Sequence, residues 1–244
     1  MSGAPPWPGD NRRVTDVPSP LVLLDLDGTL TDSAPGIVSS VAHAYRSLGL
    51  PVPSPSMLRS FVGPPITVSF LAHGVAPDRL TEAVAAYRAA FTAEGMFDNA
   101  LYPGILEAVA DLRAAGCTLA VATSKPEVYA RPICERFGIT PLVDGVYGAP
   151  LDHVPSTKAT VIAHALAELG PDRVPGPERT VMVGDREHDV LGAAEHGIDC
   201  VGVTWGYAQP GELAAAGAVE LVDDVAALAA VVLARTSAAE SSPA

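Results

Sequence analysis

Two acids one residue apart, Asp25 and Asp27, end the apolar run Leu21-Val22-Leu23-Leu24 and are followed by Gly28 and Thr29. Two unit charges about 4 Å apart repel by roughly 4 kcal/mol at an effective dielectric of 20, so such acids call for a cation or a shared proton. They can serve as nucleophile, proton donor or metal ligand, or they can simply end a strand in an Asx turn. A second pair, Asp185 and Asp189, follows Val181-Met182-Val183-Gly184. Four residues apart on a turn entering a helix, the two can face one point, or they can be the acids that commonly enrich a helix N-terminus. Between the pairs, Thr123, Ser124 and Lys125 follow another apolar run, and Lys158 opens a helical pattern. Thr123 offers a hydroxyl to a ligand or a cap to the next helix. Lys158 reads as a ligand for an anion or as a solvated surface residue, and Lys125, ahead of a proline-started helix, as a solvated one.

Stepping outward, these residues stand where strands end. Leu21 to Leu24 form a run apolar on both faces, as in a parallel sheet, and open α/β sheets place ligands at the carboxyl ends of such strands. Further strands are expected at 118–122, 142–147, 180–183, 198–203 and 219–222. Helices are expected at 104–115, 126–137, 158–169 and 187–196, with a closing helix after Asp223. This alternation predicts a doubly wound parallel α/β sheet. No strand pattern interrupts residues 33–99, whose apolar spacing predicts helices at 34–48, 57–61, 66–73 and 78–94. The expected organisation is therefore a core of 21–32 and 100–235 carrying a helical insertion at 33–99. Loose tails are expected at 1–20, rich in proline, and at 236–244.

The chain has 244 residues, 48% of them hydrophobic, with a formal net charge of −13 and a pI near 4.7. That surface argues against nucleic acid polymers and anionic membranes as partners. Cys117, Cys134 and Cys200 form no paired motif, which fits a reducing cytoplasm without a disulfide framework. Neither a secretory leader nor a run of about 18 apolar residues stands out.

The run Asp25-Leu26-Asp27-Gly28-Thr29 resembles the DxDGT signature of the haloacid dehalogenase superfamily. Thr123, Lys158 and Gly184-Asp185-Arg186-Glu187-His188-Asp189 resemble its other three motifs, in the same order and at strand ends. The resemblance covers about 21–233. It is nearest the phosphoglycolate phosphatase-like and 5′-nucleotidase-like branch through Phe61-Val62-Gly63-Pro64-Pro65 and Thr123-Ser124-Lys125-Pro126-Glu127.

What the resemblance implies is a Mg²⁺-dependent phosphatase acting on small phosphomonoesters of the phosphoglycolate or nucleotide 5′-monophosphate type. Asp25 would be the nucleophile, forming an aspartyl-phosphate, and Asp27 the acid and then the base. Mg²⁺ would be held by Asp25, the Asp27 backbone carbonyl and Asp185, with Asp189 orienting these ligands. Thr123, Ser124 and Lys158 would bind the phosphoryl group, and Arg59 and Gly63 of the helical cap would contact the leaving group. The partner would be a small phosphorylated metabolite and the protein a monomer or homodimer. A sugar phosphomutase and a silent binding protein of the same fold are the alternatives; a mutase would need a bisphosphate primer.

Overall fold

The computed structural model describes residues 18–151 and 156–238. Most of the expected amino-terminal tail, residues 1–17, and the last six residues lie outside them. In chain order the elements are β1 (Leu21–Leu24), β2 (Thr31–Asp32), α1 (Ala34–Ser47), α2 (Pro55–Arg59), α3 (Ile66–Ala72), α4 (Leu80–Ala93), β3 (Ala100–Leu101) and α5 (Ile105–Ala114). There follow β4 (Thr118–Pro126), α6 (Glu127–Arg136), β5 (Gly145–Ala149), α7 (Lys158–Leu169), β6 (Thr180–Gly184), α8 (Glu187–Ala194), β7 (Asp199–Val203), α9 (Glu212–Ala216), β8 (Glu220–Val222) and α10 (Val225–Ala238).

Six strands form one parallel sheet in the order β5-β4-β1-β6-β7-β8. Alternate side chains of β1 serve opposite faces. Val22 and Leu24 pack with α5, α6 and α10, while Leu21 and Leu23 pack with α7 and α8. A strand covered on both sides has no polar face, which is why the run is continuously apolar. From β1 the strand order runs outward one way through β4 to β5 and the other way through β6 to β8, so the carboxyl ends of β1, β4 and β6 open on a common crevice.

Helices α1 to α4 bury a core of their own, built on Ile37, Val41, Tyr45, Phe61, Phe70, Val84, Tyr87 and Phe91. Tyr129 of α6 and Tyr207, both from the sheet side, pack against it. The chain leaves the sheet region through β2 and returns through β3, and these two short strands pair antiparallel, Thr31 with Leu101 and Asp32 with Ala100.

Several bounds differ from expectation. The stretch before Gly145 is a 3₁₀ turn, so β5 starts three residues after the expected 142. β4 continues to Pro126, four residues past the expected end at Ala122. α10 runs to Ala238, and Thr236 is buried and donates to the Leu233 carbonyl, so it is helical. No helix among the described residues is long and apolar enough to cross a membrane.

Candidate active site

The end of β1 is fixed by backbone. Asp25 N–H donates to the Val183 carbonyl of β6 at 2.9 Å, and the N–H groups of Leu30 and Thr31 converge on the Leu26 carbonyl at 3.0 Å each. Gly28 permits the turn with φ at 87°, and a side chain there would collide with the Asp185 carboxylate. Only glycine lets the two loops close to this distance. Asp25 and Asp27 are therefore held on a rigid support and are almost fully buried.

Lys158 is the cation at the centre. Thr157 caps α7 in a reciprocal pair with Thr160, the Thr160 N–H to Thr157 Oγ1 at 3.2 Å and the Thr157 N–H to Thr160 Oγ1 at 2.9 Å. That cap sets the first helical residue, and the Lys158 ammonium reaches Asp25 Oδ1 and Asp189 Oδ1 at 2.7 Å each and the Ala122 carbonyl at 2.9 Å. Burial alone would lower the Lys158 pKa, but Asp189 and Asp25 outweigh it and the net direction is up. Lys158 is thus an ammonium at any ordinary pH and not a surface lysine.

Asp185 sits on the other side of Asp25. Its carboxylate accepts from the Tyr207 N–H at 2.7 Å and from the Thr29 hydroxyl at 3.4 Å, both neutral donors, and among the described residues no ion pair reaches it. Burial, then Asp189 and Asp25, push its carboxyl well above the usual carboxylate range. Burial also pushes Asp25 up to about 6, against the pull of Lys158. Asp25, Asp185 and Asp189 offer oxygens within 4.8 Å of one another. Three buried acids with one ammonium leave surplus negative charge, and the oxygen-only donor set suits a hard divalent ion. Mg²⁺ fits here. Asp189 is held by the Lys158 ammonium on one oxygen and the Arg186 N–H at 3.0 Å on the other, whereas Lys158 holds only Oδ1 of Asp25 and Asp185 has neutral donors alone, which makes Asp25 and Asp185 the carboxylates best able to turn to an ion.

Asp27 faces differently. Its Oδ2 pairs with Lys125 Nζ at 2.7 Å, both groups nearly inaccessible, while its Oδ1 is buried without a hydrogen-bond partner among the described residues. Lys125 is the residue that sequence reasoning undervalued. Because β4 extends to Pro126 with a register shift between Thr123 and Pro126, Lys125 lies in that irregular end of the strand, where its side chain reaches the site beside Thr123. Lys125 also stands 4.8 Å over the Phe91 ring of α4, which ties Asp27 to the helical unit.

Thr123 is buried at the β4 end, its Oγ1 accepting from the Lys125 N–H at 3.2 Å. A small cavity of about 20 Å³ is lined by Asp25, Asp27, Thr123, Ser124, Lys158 and Gly63 together with Arg186 and His188. The structure thus brings together every sequence-selected residue except Arg59, which is exposed at the end of α2 and lines neither this cavity nor the larger one beside it. Arg186 takes the place beside Gly63, donating to the Val62 carbonyl at 2.9 Å and pairing with Glu212 at 2.7 Å. The Tyr207 hydroxyl donates to Asp32 at 2.7 Å and its N–H to Asp185, so Tyr207 braces the acid cluster.

Known proteins resemble this chain over most of its length. The description haloacid dehalogenase-like hydrolase matches residues 22–203. A protein of Mycobacterium tuberculosis named tyrosine-protein kinase PtkA is 52% identical over 187 residues, which are 77% of this chain; this chain spans 62% of that protein's length. A Pseudomonas aeruginosa protein named 5′-nucleotidase is 40% identical over 210 residues, covering 86% of this chain and 93% of that one. The crystal structure of a predicted phosphatase from Clostridium acetobutylicum superposes with a TM-score of 0.82 at 39% identity, covering 89% of this chain and 99% of the other.

Proposed function

The chain belongs to the haloacid dehalogenase-like hydrolases, and we propose that it is a Mg²⁺-dependent phosphatase of small phosphomonoesters working through a phosphoaspartate at Asp25. The observation that carries this reading is the pairing of two acids with two different lysines: Asp25 with Lys158 and Asp27 with Lys125, each at 2.7 Å. One carboxylate is held for attack and the other for proton transfer.

Lys158 grips Asp25 Oδ1, which leaves Oδ2 to attack phosphorus along a fixed line. Asp27, through its unpartnered Oδ1, delivers a proton to the departing alkoxide, and Lys125 then stabilises the carboxylate that remains. In the second half Asp27 takes a proton from the water that attacks the phosphoaspartate. The Thr123 hydroxyl and Lys158 hold the phosphoryl oxygens between the two halves. Asp25, Asp185 and the Asp27 carbonyl would hold Mg²⁺, which supplies electrostatic stabilisation of the phosphoryl oxygens when bound.

The test is a rapid acid quench of the protein turning over p-nitrophenyl phosphate in Mg²⁺, followed by peptide mass analysis. One phosphoryl group on the peptide containing Asp25 is expected, and its absence during active turnover rejects the covalent route.

A second reading comes from the 52% identity to the protein named tyrosine-protein kinase PtkA. The same phosphoaspartate chemistry would then deliver the phosphoryl group to a tyrosine hydroxyl in place of water. Labelled ATP separates the readings: label on protein tyrosine favours transfer, and label in free phosphate favours hydrolysis.

A further inference from the structure

Beside the small cavity lies a cleft of about 790 Å³ between the helical unit and the sheet side, and the two share Asp27, Gly63, Ser124, Lys125, Lys158 and His188. Asp25 lines the small cavity and not the cleft. The cleft therefore opens on the side of the proton donor, which is where the alcohol portion of a phosphomonoester must lie while Asp27 protonates its oxygen.

The lining of this cleft is ring-rich. Tyr87 and Phe91 stack with centroids 5.5 Å apart, Phe91 meets Tyr129 edge-on at 5.5 Å, and Lys125 links that row to Asp27. Val68 of α3 and Leu191 of α8 line the cleft from opposite units while 57% and 50% exposed, so both offer apolar surface to a group bound between them. Charge is committed elsewhere. Lys125 and Lys158 are held by Asp27, Asp25 and Asp189, Arg88 donates to the Leu151 carbonyl at 2.8 Å, and Glu195 adds a negative charge to the lining. A two-carbon acid would leave most of 790 Å³ to water and bring a second anion toward Asp27 and Glu195.

We infer that the alcohol portion of the substrate is uncharged and of aryl size, seated between Val68 and Leu191 beside the partly buried Tyr129 ring, with the buried Tyr87 and Phe91 as the wall behind it. This rests on the phosphoryl-transfer reading of the Asp25 site and narrows it to one leaving-group class, shared by aryl-bearing alcohols, tyrosyl side chains and nucleosides. Apolar burial supplies the affinity, and no cation is spent on the leaving group.

The test uses the full chain in Mg²⁺ and two inert phosphonates, so that binding is read without turnover. By calorimetry, 2-phenylethylphosphonate should bind at least about tenfold more tightly than 3-phosphonopropionate, which replaces the ring with a carboxylate. Equal affinity, or the reverse order, overturns the inference. Replacing both exposed walls, Val68→Ser with Leu191→Ser, should shrink that ratio to about threefold or less, because both lose apolar cover. An unchanged ratio overturns the seat. Turnover of N-acetyl-phosphotyrosine amide, 5′-AMP and 2-phosphoglycolate then separates the sources: either ring-bearing ester ahead of phosphoglycolate supports the inference, and phosphoglycolate ahead of both overturns it. Should no ester be hydrolysed, the phosphatase reading fails while the phosphonate ratio still decides this one.

Discussion

Lys125 and Asp27 form a buried ion pair at 2.7 Å whose lysine also lies over the Phe91 ring of the helical unit. Removing one member of such a pair strands the other charge, at a cost of about 3–5 kcal/mol. Lys125→Met should therefore lower Tm by roughly 6–20 °C, given about 2–4 °C per kcal/mol for a chain this size. Adding Asp27→Asn should restore part of the loss. A double variant no more stable than Lys125→Met alone would show that the two residues are not coupled.

Asp25→Asn should reduce phosphate release to below about one per cent while leaving the fold intact, because an amide cannot attack phosphorus. Asp27→Asn should spare aryl esters relative to alkyl esters, since a nitrophenolate leaves without a proton. Equal losses on p-nitrophenyl phosphate and an alkyl phosphate would remove Asp27 from the acid role.

The pH dependence has a definite sign. Asp25 is pushed up to about 6 by burial, above the ordinary 3.8 of the unfolded chain. Without metal, this group makes the fold less stable as pH rises from about 4 to about 6, because the native state holds a proton that the unfolded chain has already released. A metal needs the carboxylate and competes with that proton, so stabilisation by Mg²⁺ should be present above about pH 6 and lost as pH falls through it. Thermal unfolding with and without Mg²⁺ checks this: the rise in Tm should be clearly larger at about pH 7.5 than at about pH 5.

Asp185→Ala should raise the Mg²⁺ concentration needed for half-maximal activity more than Asp189→Ala does. Asp185 has only neutral donors, whereas both Asp189 oxygens are occupied by Lys158 and the Arg186 N–H. Asp189→Ala should instead lower Tm the more of the two, by loosening Lys158. The reverse order in the Mg²⁺ titration would exchange their roles.

Arg59→Ala should leave kcat/KM within about twofold for every ester, as expected of an exposed side chain away from the site. A selective loss on a doubly charged ester would bring Arg59 back to the leaving group.

The acid sites were legible because their chemistry is written next to unmistakable strands. β1 and β6 are continuous apolar runs, and the acids follow within a residue or two of their ends. Lys158 was harder. A lysine at a helix start usually faces water, and only the Thr157 to Thr160 cap together with the packing of α7 against β4 explains its burial. Lys125 was undervalued because β4 continues four residues past its expected end and shifts register between Thr123 and Pro126, an irregularity that no sequence period announces. Arg59 shows the opposite limit: apolar spacing assigns a helix but not the direction in which its far end points. β2 and β3, two residues each, are too short to carry any period.

That small ribbon has its own consequence. Because Thr31 pairs with Leu101 and Asp32 with Ala100, the two ends of the 67-residue excursion between Asp32 and Ala100 touch. Closing the sheet domain across that point costs almost the same chain entropy whatever length of polypeptide hangs from it. The length of the excursion is therefore nearly free to vary in chain entropy, and what fixes it over the strand ends is contact across the gap, Phe91 beneath Lys125 and the Val62 carbonyl on Arg186.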